Sequence, residues 1–175
     1  MRINFKVTLI VFFIILLSVM LVRYEKRATK RHYCDFRVYY HTAQTFLNKG
    51  DIYFRDKEEV TPFKYSPFFA FLSCPLGLFP VKHAAMLFFI INFLSTFGLF
   101  YLSRKLFIDK PLDSKSAFFL YFLTALFAGR FILQVWDSGQ INIIMYALVV
   151  LSLFLFSKGK DILGAIFLST AILFK

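Results

Sequence analysis

The segment from Asp35 to Gly50 reads DFRVYYHTAQTFLNKG, and a second run from Pro62 to Pro67 reads PFKYSP. Both lie in one long polar, aromatic stretch, Arg23 to Ser66, between two apolar blocks. A connection that long between spanning segments is functional or disordered, and its aromatic content argues against disorder. From Asp35 to Lys49, Phe36, Tyr39, Tyr40, Ala43, Phe46 and Leu47 recur at helical spacing on one face, with Arg37, Gln44 and Asn48 turned away. Gly50 is a natural stop. Such a helix, flanked by Tyr and Arg, suits the membrane surface better than its core. We therefore expect an amphipathic interfacial helix inside a long first loop, 25–66, in which Asp51 to Thr61 is charged.

The sequence around this loop is that of membrane helices. Of 175 residues, 59% are hydrophobic, above the one half or so of soluble domains. Val7 to Val22 is apolar apart from Thr8 and Ser18, follows Arg2 and Lys6, and runs without a small-residue cleavage site into Arg23-Tyr24-Glu25-Lys26-Arg27. It reads as an uncleaved signal anchor. Spans are expected at about 5–24, 83–102, 116–134 and 141–156, and 162–174 begins another inside which the sequence ends. Phe68 to Phe79 is broken by Pro75 and Gly77 and bounded by Pro67 and Pro80. As a helix it reaches about 18 Å against a hydrocarbon core of roughly 30 Å, so 68–79 is expected to be re-entrant or interfacial. The expected fold is all-α, a polytopic membrane helix bundle, with 1–175 as the amino-terminal part of one membrane domain.

The net charge of +11 lies between apolar blocks and points to lipid headgroups or anionic phospho-substrates rather than nucleic acid. Cys34 and Cys74 form no C-x-x-C pair, and His32, His41 and His83 are scattered, so no metal site is expected. The short loops Ser103 to Lys115 and Ser157 to Asp161 carry surplus Lys and Arg and are placed in the cytoplasm. That puts Trp136 to Gln140 and the long first loop outside. The basic run Arg23, Lys26, Arg27, Lys30 and Arg31 argues the other way, but long segments translocate with weaker charge bias.

Two polar clusters then share the outer face. One is Asp35 with Tyr39, Tyr40, Lys64 and Tyr65; the other is Arg130, Gln134, Asp137, Gln140 and Asn142. Residues 130, 134 and 137 share a helix face, and such a stripe at the end of a span should face a cavity rather than lipid. Ser138 or Gly139 can cap the next helix, whose positive end would be an anion site. Each residue also has a plain reading. Asp35 can be an N-cap, Arg130 a snorkelling cation, Gln140 and Asn142 interhelical hydrogen bonders, the tyrosines an interfacial belt, and Lys64 a solvated charge. Taken together they give an acid, two cations and amide donors, a setting for a deprotonated hydroxyl and a phosphate leaving group.

At these residues the chain resembles glycosyltransferase family 87, the polyprenyl-phosphate-mannose-dependent mannosyltransferase-like group with a GT-C fold. The resemblance is carried by Asp35-Phe36 leading to Tyr39, Ala43, Gly50 and Tyr53. It continues in Phe63-x-Tyr65-x-Pro67 with Pro75-Leu76 and Pro80, and in Gly139-Gln140-x-Asn142 followed by Gly164 and the apolar stretch to Lys175. It implies inverting transfer of a hexose, mannose first, from a polyprenyl-phosphate donor to a glycan or glycolipid acceptor. Asp35 would be the catalytic base. The two polar clusters, read on their own, supply Tyr39, Lys64, Tyr65, Arg130, Asp137, Gln140 and Asn142 as the expected substrate-binding residues. No metal or other cofactor is implied. The implied location is a multi-pass protein of the bacterial inner membrane, in contact with membrane lipid. Family members are longer, so the chain is expected to be an amino-terminal fragment, inactive alone. The competing readings are a transporter or lipid flippase fragment using Arg130 and Asp137, and an inactive membrane remnant. The structured outer loop with an acid at its start favours the enzyme.

Overall fold

The computed structural model of the chain describes residues 15, 17–26, 35–53, 62–108 and 113–175. Most of the first expected span, the run Arg27 to Arg31, His32, Cys34 and the charged loop 54–61 lie outside them. The described residues form helices joined by turns, with no strand among them: α1 (17–26), α2 (Asp35–Leu47), α3 (Pro67–Gly77), α4 (Val81–Phe107), α5 (Ser114–Ser138), α6 (Asn142–Ser157) and α7 (Asp161–Leu173).

The buried face of α2 is Phe36, Val38, Tyr39, Tyr40, Thr42 and Ala43. Phe46 and Leu47, which helical spacing puts on the same face, are exposed at its end. Gln44 is not turned away: it donates to the Tyr40 hydroxyl at 3.1 Å, and Tyr40 donates to the Phe79 carbonyl at 2.9 Å. The stop also differs from a simple glycine cap. Lys49 takes the left-handed conformation, φ 57°, and Gly50 N–H closes on the Thr45 carbonyl at 2.9 Å. Gly50 lies so close to Thr45 that a Cβ would come within 3.0 Å of its methyl.

Ser66 caps α3 by accepting from Phe69 N–H at 3.3 Å, and Pro67 takes the first helical position, where its missing N–H costs nothing. The helix has 11 residues, about 17 Å. A Cβ on Gly77 would stand 3.1 Å from Leu47 Cδ1 and 3.3 Å from Ala43, so small residues let α2 and α3 lie close. Cys74 is free.

Of the expected spans, α4 alone is clearly long and apolar enough to cross a membrane among the described residues: 27 residues, about 40 Å. α5 becomes a second if its two parts, Lys115–Thr124 and Leu126–Ser138, bent by 43°, count as one. Helices form at the other two expected places, but α6 has 16 residues and α7 has 13, about 24 and 20 Å, short of the core thickness. α6 packs on α4, and α7 on α6, where Gly164 admits the ring of Phe156.

The core does not run down the long helices. It is an aromatic cluster where their ends meet α1, α2 and α3: Tyr24, Phe36, Tyr39, Phe63, Phe69, Phe88 and Phe89 with Ile141 and Phe174. α5 instead exposes Phe118, Phe119, Phe122, Phe127 and Phe131.

Candidate active site

The site is built on the turn between α5 and α6. Gly139 ends α5 in the left-handed region, φ 67°, with its N–H on the Val135 carbonyl. A Cβ there would collide with the Tyr24 hydroxyl and stand 2.8 Å from Phe36 Cβ. Glycine thus serves twice, for its conformation and for its missing side chain. The expectation that Ser138 or Gly139 caps α6 is corrected here. Gly139 closes the helix before it, and α6 is entered through Ile141 with no side-chain cap.

The close approach at Gly139 lays the turn against α1 and the start of α2. Gln140 there hydrogen-bonds the side chain of Asp35. Asn142 Nδ2 donates to Gln140 Oε1 at 3.0 Å. With its oxygen engaged, the Gln140 amide has its NH₂ left for the carboxylate. Ile141, 3% exposed, sits in the aromatic core, and its backbone N–H donates to the Tyr39 hydroxyl. Tyr39 donates to the Tyr65 hydroxyl at 3.0 Å, the two rings meeting edge-on at 5.3 Å. Asp35, Tyr39, Tyr65, Gln140 and Asn142, distant in sequence, are therefore one cluster.

Asp35 is the first residue of α2 and half-buried. Desolvation raises its carboxyl above the usual carboxylate range, and the Gln140 hydrogen bond opposes that rise. Burial first, then the Tyr65 hydroxyl and the nearby Asp35 charge, push the Tyr39 phenol well above its ordinary range. Tyr39 is thus a neutral hydrogen-bonding group at any physiological pH, and Asp35 is the titratable centre of the cluster.

The remaining expected residues stand around it. Asp137, two residues before Gly139, pairs with Arg23 Nε at 3.8 Å, and Glu25 pairs with Lys82 at 3.5 Å. These partly exposed pairs contribute little stability singly, but they flank Tyr24 and fix the end of α1 over Gly139. Lys64 is exposed beside Tyr65. Arg130 is exposed too, seven residues before Asp137 or about 10 Å along α5, and shares no hydrogen bond or ion pair with Asp35 or Gln140.

Two features escape the sequence reading. Tyr24, 2% exposed and packed on Phe36 and Phe89, looks in sequence like the tail of a span. The end of α7 returns to the PFKYSP turn: the Ser66 hydroxyl donates to the Leu173 carbonyl, and Phe174 packs on Phe69 at 5.2 Å. Among the described residues, no three His, Cys, Asp or Glu side chains are grouped to hold a metal ion.

Compared with curated proteins and with solved structures, the chain gives no match. Compared with protein families, residues 63–175 match glycosyltransferase family 87. The match covers well over half of the chain and takes in Tyr65, Gln140 and Asn142, while Asp35 and Tyr39 precede it. With that match, and with a membrane-length α4 of the kind such an enzyme needs, the chain belongs to glycosyltransferase family 87, a family of membrane glycosyltransferases.

Proposed function

We propose that this membrane glycosyltransferase moves a hexose, mannose in the first instance, from a polyprenyl-phosphate donor to a glycan or glycolipid acceptor with inversion, and that Asp35 is its base. The observation that carries this reading is Asp35 itself. It is half-buried, raised in pKa by desolvation and held by Gln140, which lies inside the family match. A carboxylate so desolvated is a stronger base than one in water. One of its oxygens takes the Gln140 hydrogen bond, and the other can take the acceptor hydroxyl.

The acceptor oxygen attacks the anomeric carbon from the face opposite the phosphate. Its proton passes to Asp35. The bond from the anomeric carbon to the phosphate oxygen breaks, and its electron pair leaves on polyprenyl phosphate. Lys64 and Arg130, with the first N–H groups of α6, are the groups we assign to the departing charge. Tyr65, backed by the buried Tyr39, would border the sugar, and Asp137 holds the α5 end through Arg23. We place the site on the outer face of a bacterial inner membrane, from the positive charge of the two short loops. The transporter reading gains nothing further: Asp137 is paired with Arg23, and the matching family is one of glycosyltransferases.

The test is Asp35→Asn in the full-length protein. A general base contributes about 10²–10⁴-fold to the rate, and that loss is expected in initial transfer from a polyprenyl-phosphate sugar. The melting temperature at neutral pH should hold or rise. The native pKa of Asp35 lies above its unfolded value, so ionisation at rising pH disfavours the folded state; Asn removes that term. Wild-type rates in Asp35→Asn would end the assignment.

A further inference from the structure

We propose that Tyr53 is an acceptor subsite, a fixed aromatic platform on which a pyranose of a glycan acceptor stacks, one or more units beyond the sugar that reacts. The inference deepens the proposed function and rests on its acceptor being a glycan. Tyr53 is held from three sides. Its backbone N–H donates to Asp51 Oδ1 at 2.9 Å, an Asx turn that fixes the chain two residues on. Its hydroxyl donates to the Tyr65 carbonyl at 3.1 Å, and its ring lies 5.9 Å from that of the buried Phe63. The side chain is nonetheless 50% exposed. A tyrosine of an interfacial belt turns its hydroxyl to water and headgroups. Tyr53 instead uses its hydroxyl on the protein backbone, and the surface it offers is largely that of the ring.

A pyranose has a rim of hydroxyls and a face of C–H groups. Those C–H groups carry partial positive charge and are drawn to the negative face of an aromatic ring. A ring already immobile before the ligand arrives loses little freedom on stacking. The place of Tyr53 decides which sugar it meets. Tyr65 bridges it to the helix of Asp35. The Tyr65 hydroxyl takes the Tyr39 hydroxyl at 3.0 Å, and Tyr39 lies one turn after Asp35 on the same face of α2. The Tyr65 carbonyl, at the other end of the residue, takes Tyr53. Ring steps of 5.3, 5.8 and 5.9 Å lead from Tyr39 through Tyr65 and Phe63 to Tyr53. The donor brings a single hexose to the reacting centre, so a sugar on Tyr53 is a further unit of the acceptor chain.

The test uses the full-length protein with polyprenyl-phosphate mannose as donor and two acceptors, methyl α-mannoside and an α-linked mannotriose. Tyr53→Ala is expected to raise KM for the trisaccharide about three- to tenfold, the effect of losing one stacked ring. The kcat, the KM for the donor and the KM for methyl mannoside should not change. Tyr53→Trp keeps an aromatic face and should keep the preference for the longer acceptor. Tyr53→Leu, apolar but without a ring, takes the place of the alanine variant if that does not fold. A merely structural role would move both acceptors together and lower the melting temperature. An equal change for the two acceptors, or an unchanged KM for the trisaccharide, overturns the subsite. Saturation-transfer NMR of mannotriose on the Asp35→Asn protein reads the same contact without turnover. The signal from the sugar is expected to fall severalfold when Tyr53→Ala is added; an equal signal, or none with Tyr53 in place, overturns the proposal. If Asp35→Asn keeps its transfer rate, or neither acceptor is used, the proposed function falls, while the binding measurement still decides the subsite.

Discussion

Gly139 and Gly159 share nearly the same backbone, φ 67° and φ 69°, but not the same surroundings. An added Cβ meets nothing within 4 Å at Gly159, whereas at Gly139 it strikes Tyr24 and Phe36. Gly159→Ala should therefore lose about 1–2 kcal/mol, the left-handed penalty alone. Gly139→Ala should lose more, and should also lose transfer activity because the turn can no longer lay Gln140 against Asp35. Thermal melts of both variants beside transfer rates check this; equal destabilisation would show that the contact at Gly139 is slack. At this scale the sequence was informative where chemistry is local. Asp35, Gln140 and Asn142 are visible as a motif pair. The reason for Gly139 is not, because it lies in Tyr24 and Phe36, more than a hundred residues away. Lys64 and Arg130 were read as site cations from charge alone, and charge does not say how far a side chain stands from a carboxylate.

Among the elements, helical periodicity located α2 well, from Asp35 to Leu47, because its apolar face is buried against α3 and the aromatic core. It missed how the helix stops. Gly50 is the obvious terminator, yet the left-handed residue is Lys49, since Gly50 is needed one position later against Thr45. Lys49→Gly should consequently stabilise the fold by about 1 kcal/mol, by removing the side-chain penalty of that conformation without touching a contact of the core. An unchanged or lower melting temperature would contradict the assignment of this cap. The longer helices show the same division. Composition marks α6 and α7 as apolar, but their lengths are set by the turn at Lys158 to Lys160, with Gly159 left-handed, and composition cannot measure that.

For the whole molecule, the decisive feature is that two regions of different standing meet. The family match begins at residue 63, whereas Asp35 and Tyr39 come earlier. The claim of one active site depends on the fold joining them, through the close approach at Gly139 and the hydrogen bond from Gln140. The all-helical class could be read from the apolar blocks. The meeting of α1, α2 and the α5–α6 turn could not, since topology from loop charge says which side a residue occupies and not which residue it touches. It is tested most directly by proximity in the membrane-embedded protein. Asp35→Cys is combined with Gln140→Cys in a Cys34→Ser, Cys74→Ser background and treated with a short bifunctional thiol reagent. The account predicts rapid intramolecular crosslinking of this pair, and none when Arg130→Cys replaces Gln140→Cys. Failure of the Asp35–Gln140 pair to crosslink, with both thiols reactive to a single-headed reagent, would contradict it.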